Sequence, residues 1–282
     1  KQTIYCSKQG NHDLYRLQKP SSEKNPSSYT PECVSEAARR FRADGAIILD
    51  NVLPESSIER ARNAFLEQYA RHLTSEERTD ALTLGHLRSM ITLDIQPPFD
   101  CAEFMANDSI LSVVRQLLGA DCVLGFYGVA CSLSGAEQQQ IHRDQTPLFE
   151  GTGIDRILPP AGITVGIPLV ELNEFNGTTQ IWPSSHLKEA FSESDPSVLP
   201  RVPVGSCIMW DDRTMHGGTP NLSQDPRPLM SIGYQKPWYV DMNLTVQPGM
   251  RASKKFVENI PEHLKPLFAR LESPYLLKNE VY

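Results

Sequence analysis

The stretch Ser206-Cys207-Ile208-Met209-Trp210-Asp211-Asp212-Arg213-Thr214-Met215-His216-Gly217-Gly218-Thr219-Pro220-Asn221 sets the reading of the whole chain. It opens with a short apolar run, the pattern of a buried strand, and closes on Gly, Thr, Pro and Asn, the chemistry of a turn. A histidine stands between the two. The same alternation recurs on both sides. Strand-like runs cover Cys122 to Leu133, Gln138 to Asp144, Ile163 to Leu172, Thr178 to Trp182 and Leu229 to Tyr239, with Asn176-Gly177 and Pro183-Ser184-Ser185 as breaks. Short strands at this spacing predict a β-sandwich or barrel.

The N-terminal side has a different period. Residues 1–29 are polar and predict an irregular arm. Thr30 can cap a helix starting at Pro31, with Val34, Ala37, Ala38 and Phe41 on one face and Gly45 as its stop. A strand, Ala46 to Leu53, should follow. Helical spacing then predicts a helix from Pro54 to about His72, through Ile58, Ala61, Phe65 and Tyr69, and another from Asp108 to Leu118, capped by Asp108. Residues 73–107 look loop-rich and suit a lid. A helical tail from Ala252 to Leu271 is broken at Pro261 and Pro266. The expected organisation is an arm, 1–29, and one domain, 30–282, made of a helical annex and lid (30–120), a β-core (121–240) and a helical tail (241–282).

Hydrophobic residues at 40% and charged residues at 22% suit an ordinary globular chain. A net charge of −7 without a basic block argues against nucleic acid. No apolar run approaches the roughly 20 residues of a membrane span. The six cysteines have no paired short spacing and read as reduced thiols, which predicts a cytoplasmic protein. Sequons at Asn107, Asn176, Asn221 and Asn243 point the other way, and a start at Lys1 is compatible with a removed signal.

The chemistry concentrates in His142-Arg143-Asp144. In a strand, His142 and Asp144 would project from the same face about 7 Å apart and could grip one ion, while Arg143 faces away. A His-x-Asp alone is as readily a surface ion pair. His216, just past an apolar strand, can complete two imidazoles and one carboxylate, the facial triad of non-haem Fe(II) oxygenases with three open positions. Arg227, eleven residues on, offers a planar fork for the distal carboxylate of a co-substrate such as 2-oxoglutarate. On its strand, Thr164 alternates with Val165, Ile167 and Leu169 and should face the barrel interior as a co-substrate contact. His12, His72, His86 and His263 have no partner at ligand spacing and read as surface or capping residues, and Trp182 and Trp210 read as core.

The ordered set of His142-x-Asp144, Asn176-Gly177, Trp182-Pro183-Ser184-Ser185-His186, His216 and Arg227 resembles the phytanoyl-CoA dioxygenase family from about Thr30 to Tyr239. The resemblance implies a mainly β fold with flanking helices: a double-stranded β-helix (jelly roll, cupin-like) with helices packed on the major sheet and a metal site in the barrel mouth. It implies Fe(II), bound by His142, Asp144 and His216, with 2-oxoglutarate and dioxygen as co-substrates and ascorbate as an accessory reductant. Family members often place a glutamine just before the motif against 2-oxoglutarate, which nominates Gln140, although a glutamine in this run is equally a solvated side chain. Ser184 stands where the family usually has glycine, and His186 reads as structural. Because Asp144 is a carboxylate, the resemblance implies hydroxylation or a related oxidation, not halogenation.

The partner should be a small organic substrate, such as a natural product, an acyl or amino-acid derivative, or a lipopolysaccharide sugar. Loops 73–100 and 145–162 and the C-terminal tail, with Arg88, Arg156, Met90 and Phe149, would line the entrance. Two other classes stay open: an inactive jelly-roll ligand- or sugar-binding module, and a Zn-dependent cupin-like isomerase or hydrolase.

Overall fold

Capping chemistry sets the helices. In this computed structural model, which describes residues 13–18, 29–74, 81–241, 248–271 and 280–281, helix α1 (Pro31–Asp44) starts on Thr30, whose side chain accepts from the Cys33 N–H, and stops at left-handed Gly45. Helix α2 (Glu55–Gln68) tightens into a 3-10 turn over Ala70–Leu73. A short α3 (Ala102–Met105) precedes α4 (Asp108–Leu118). The cap of α4 is Asn107, not Asp108: its Oδ1 accepts from the N–H groups of Ser109 (3.0 Å) and Ile110 (3.1 Å), which makes Asp108 the first helical residue. The tail forms α5 (Lys254–Glu258) and a 3-10 segment, Glu262–Phe268.

The strands are β1 (Tyr15–Gln18), β2 (Ala46–Asp50), β3 (Leu82–Gly85), β4 (Arg88–Thr92), β5 (Asp94–Ile95), β6 (Val123–Ser132), β7 (Gly162–Pro168), β8 (Thr179–Ile181), β9 (Cys207–Asp211), β10 (His216–Gly218), β11 (Arg227–Gln235), β12 (Arg251–Ala252) and β13 (Glu280–Val281). Eight form the major sheet in the order β1-β2-β9-β7-β11-β6-β4-β3, β10 and β8 form a minor pair, and β13-β12-β5 form a third sheet. Period-two alternation gives the major sheet two distinct faces. Val165, Ile167, Met230, Ile232 and Tyr234 pack into one hydrophobic core with Phe41, Phe65, Val113 and Leu117 of the helices. On β11 the alternate residues Arg227, Leu229, Ser231, Gly233 and Gln235 line a cavity instead, and His216 and Gly218 of the minor pair line it too. This is the jelly roll expected, with helices on the outer face of the larger sheet.

Three segments differ from expectation. Within the polar arm, β1 pairs in parallel with β2, buries Leu17 and ties Arg16 to Asp50 at 2.7 Å. Leu14, Tyr15 and Leu17, in a short run within a polar arm, were too weak a signal for an edge strand whose pairing comes from β2. Within the stretch read as loop, β3 and β4 extend the major sheet. Arg88 and Ser89 are polar yet buried there, which hid the strand. Conversely, Gln138 to Asp144 is not a regular strand: it makes one bridge, His142 to His216. His72 is buried, not a surface residue. Residues 1–12, with Cys6 and His12, and Asn243 lie outside the described residues.

Gly45 ties the helical layer to the strand connection that delivers His216. Its carbonyl accepts from the Asp211 N–H (2.9 Å) and the Thr214 hydroxyl (3.1 Å). His186 sits beside it with Nε2 3.1 Å from the Arg42 carbonyl oxygen, a structural placement. At Gly45, φ is +78°, and a Cβ would run into Thr214 Oγ1 and, at 2.6 Å, His186 Nδ1. Gly45→Ala should therefore cost about 2–4 kcal/mol from left-handed strain and overpacking. A denaturant-unfolding midpoint equal to wild type would contradict this.

Candidate metal centre

Both histidines are oriented by the carbonyl two residues back. His142 Nδ1 lies 2.8 Å from the Gln140 oxygen and His216 Nδ1 2.9 Å from the Thr214 oxygen. Donation of each Nδ1–H to its carbonyl leaves each Nε2 lone pair for a metal. The chain brings them together by one reciprocal bridge, the N–H of each residue donating to the carbonyl of the other at 2.9 Å, and the ring centroids stand 4.4 Å apart. Asp144 Oδ1 lies 3.5 Å from both Nε2 atoms. The three donor atoms fall within 4.8 Å of one another, and among the described residues no other such group of three His, Cys, Asp or Glu donors forms.

The second carboxylate oxygen faces the protein. Asp144 Oδ2 accepts from Trp210 Nε1–H at 2.9 Å, with the Thr164 hydroxyl at 3.4 Å. Burial alone would raise the Asp144 pKa, but His216, His142 and Trp210 hold it below the usual carboxylate range, so the group is ionised. Burial lowers His216. It opposes but does not overcome the hydrogen bond and charge of Asp144, which hold His142 above its usual value. Asp212, whose Oδ1 accepts from Thr164 at 2.9 Å, is pushed well up by burial and then by the charge of Asp144.

Arg227 stands where β11 begins, and the register places Ser132 of β6 opposite both Arg227 and Arg88 of β4. Both arginines donate to the Ser132 hydroxyl, Arg227 at 2.7 Å. Arg88 spends its other terminal nitrogen on the carbonyls of Glu137 (3.0 Å) and Thr219 (2.9 Å). Arg227 is 2% exposed, and its Nε and Nη1 have no acceptor among the described residues. Burial, then the neighbouring Arg88, depress Arg227 to about 9, and burial depresses Arg88 to about 10. Such a pair calls for an anion.

One cavity of about 650 Å³ joins these parts, with the arginines at one end, the triad along it, and Gln235 and Asp241 towards the other. Thr164 faces it as expected but pairs with Gly233, six residues along β11 from Arg227, so its hydroxyl serves Asp144 and Asp212. Gln140 borders the cavity with an exposed side chain and contributes its carbonyl to His142. Arg143 reaches towards the Ser185 carbonyl (3.4 Å). Sequence reasoning placed Arg88 only in an entrance loop and missed Gln139, whose Oε1 accepts from the Gly218 N–H at 3.0 Å. For Arg88 there was no local signal, because Arg88-Ser89-Met90-Ile91-Thr92 does not alternate polar with apolar. For Gln139 there was none.

A jelly roll with two histidines and a carboxylate in its mouth and a buried arginine beyond them defines a class of metal-dependent oxygenases. The chain belongs to the phytanoyl-CoA dioxygenase family, whose model matches residues 41–229. It is 25% identical over 210 residues to dioxygenase aneA of Aspergillus aculeatus, covering 69% of this chain and 70% of that one. It is 22% identical to the ectoine dioxygenase of Nocardia farcinica over 74% of this chain and 80% of that one. The fold is similar to AviO1 from Streptomyces viridochromogenes (TM-score 0.58, 21% identity, 72% and 95% covered). It is similar also to the epimerase SnoN from nogalamycin biosynthesis in complex with Fe3+ and alpha ketoglutarate (TM-score 0.54, 18% identity, 73% and 85% covered). No helix among the described residues is long and apolar enough to cross a membrane.

A metal at this triad would compete with protons for the imidazoles. Because His142 is held above its usual value, protons compete up to a higher pH at this ligand. The apparent dissociation constant for a divalent ion should thus tighten as pH rises from about 6 to 8, and His216→Ala should abolish binding. Calorimetric titration across that range tests this. A pH-independent constant would count against the ligand set.

Proposed function

We propose that the chain is an Fe(II)- and 2-oxoglutarate-dependent dioxygenase that hydroxylates, or otherwise oxidises, an unactivated C–H bond of a small organic substrate. The observation that carries it is Arg227: a buried guanidinium with two nitrogens lacking acceptors among the described residues, in the same cavity as a preassembled His-Asp-His triad. A zinc isomerase or hydrolase would need the triad but not the arginine, and a pure binding module would need neither together.

In this assignment His142 Nε2, Asp144 Oδ1 and His216 Nε2 hold the iron, and Arg227, backed by Arg88 across Ser132, holds the distal carboxylate of 2-oxoglutarate. Gln140 and Thr164 border the co-substrate space, Thr164 through its contact with Asp144. When bound, the metal with 2-oxoglutarate and dioxygen supplies the oxidising power for C–H cleavage, 2-oxoglutarate being converted to succinate and carbon dioxide. The protein's part is orientation and exclusion of water. The arginine pair fixes one end of the co-substrate, and the buried face of β11 shields the centre. Asp144, as a carboxylate, occupies the position that a halide would otherwise need. Leu82, Met90 and Phe126 offer apolar wall, and Gln235 and Asp241 polar wall, for an amphipathic small molecule.

Arg227→Ala should weaken 2-oxoglutarate binding by about 2–5 kcal/mol, the cost of removing one partner of a buried charged pair. Arg227→Lys should restore only part of it because a point charge cannot fork. With labelled dioxygen and a substrate panel, label should enter succinate and the oxidised product, and bromide or chloride should not be incorporated. An unchanged 2-oxoglutarate dissociation constant in Arg227→Ala, or no succinate with iron-loaded protein, would reject the proposal.

A further inference from the structure

Trp210 touches two members of the triad from a single strand. The register of β9 against β7 sets it directly opposite Thr164, so both side chains stand beneath Asp144. Its indole Nε1–H donates to Asp144 Oδ2 at 2.9 Å, and its ring lies 5.1 Å from the His216 ring, centroid to centroid, tilted by 46°. Trp210 is 4% exposed. The ring also has a made seat: Gly166 of β7 lacks a side chain where a Cβ would come within 3.2 Å of Trp210 Cζ3.

The consequence lies in how the carboxylate is divided. Oδ1 is turned to both imidazole Nε2 atoms at 3.5 Å, while Oδ2 is turned away to the indole N–H and, at 3.4 Å, the Thr164 hydroxyl. A carboxylate free to rotate can give both oxygens to one metal. An indole N–H is a donor only, so it can hold a carboxylate oxygen but cannot itself bind the ion. In a six-coordinate centre one oxygen from Asp144 leaves three positions, enough for a chelating 2-oxo acid and dioxygen. Two oxygens would leave too few.

We infer that Trp210 is a positioning residue of the metal centre: its N–H occupies Asp144 Oδ2 and keeps the aspartate a one-oxygen ligand. The inference rests on the triad being the metal site, as assigned above, and goes beyond it in naming what sets the coordination number.

The test uses Co(II) as an oxygen-stable probe on metal-stripped full-length protein, with Trp210→Phe, Thr164→Val and, as a control for an unrelated indole, Trp182→Phe. Outer partners of metal ligands typically contribute about 10–100-fold in affinity. Trp210→Phe should lose Co(II) affinity by about that factor and change the visible ligand-field spectrum, reporting a changed coordination number. It should also weaken 2-oxoglutarate binding to the Co(II) form. Thr164→Val, which removes a hydroxyl closer to Asp212 (2.9 Å) than to Asp144 (3.4 Å), should change affinity and spectrum far less, and Trp182→Phe should leave the spectrum unchanged.

A Trp210→Phe protein with wild-type thermal unfolding, wild-type Co(II) affinity and a wild-type spectrum would overturn the inference. If Trp210→Phe does not fold, Gly166→Ala, which crowds the Trp210 ring in its seat, decides by the same two readouts, an unaltered affinity and spectrum being fatal. Failure of the underlying assignment looks different. Wild type binding no Co(II), or binding it equally after His216→Ala, overturns triad and positioning role together, whereas tight Co(II) binding without succinate from iron-loaded protein rejects only the oxygenase function.

Discussion

Everything in the site hangs on one reciprocal backbone bridge. The N–H groups of His142 and His216 each donate to the other's carbonyl at 2.9 Å, and the Gln139 N–H donates to the Gly218 carbonyl at 2.9 Å beside them, which joins the 138–144 segment to β10. The bridge sets the two imidazoles side by side on chain that Gln139 and Gly218 also hold together. With it the rings stand 4.4 Å apart, and Asp144, two residues further on, arrives with one oxygen 3.5 Å from both. The bridge is in turn held from behind. Gly45 pins Asp211 and Thr214, and the Thr214 carbonyl then orients His216 Nδ1. A turn at the end of α1 thus reaches the chemistry through two hydrogen bonds.

The cavity divides its charge along β11. At the start of that strand two buried guanidinium groups share one serine hydroxyl, an arrangement that is costly unless an anion completes it. Beyond the triad, Gln235 and Asp241 make the wall polar with the opposite sign. The gradient suits the proposed function, with a dianionic co-substrate at one end and a different molecule at the other. Between the two ends, Ser231 and Gly233 of β11 line the cavity with little or no side chain.

Local signals were legible where local forces dominate. The cap at Thr30, the stop at Gly45 and the Val34, Ala37, Ala38, Phe41 face appear as expected, because a helix start, stop and buried stripe are written within one stretch of chain. The runs around β6, β7, β9 and β11 were visible for the same reason. The edge strand β1 and the pair β3–β4 were not. Their polar residues are buried or paired by strands far away in sequence, so their own composition carries little of the signal. The opposite error at 138–144 came from assuming that same-face projection requires a strand. One bridge, the Gln140 carbonyl on His142 Nδ1 and the Trp210 N–H on Asp144 Oδ2 aim His142 and Asp144 together.

The sequence by itself determined which residue types could meet. A His-x-Asp brings two donors close through two peptide units, and a histidine after an apolar strand with an arginine eleven residues on makes a facial triad and a carboxylate anchor chemically coherent. Only the tertiary structure decided how they meet. Arg88 joins Arg227 because Ser132, 44 residues from one and 95 from the other, sits between them in the sheet. Gln139, not its neighbour Gln140, is clamped to β10. Trp210, read from sequence as core, donates to the outward oxygen of Asp144. These are matters of strand register and of which oxygen or nitrogen faces which partner, and they are set by packing between segments whose separation along the chain carries no local trace.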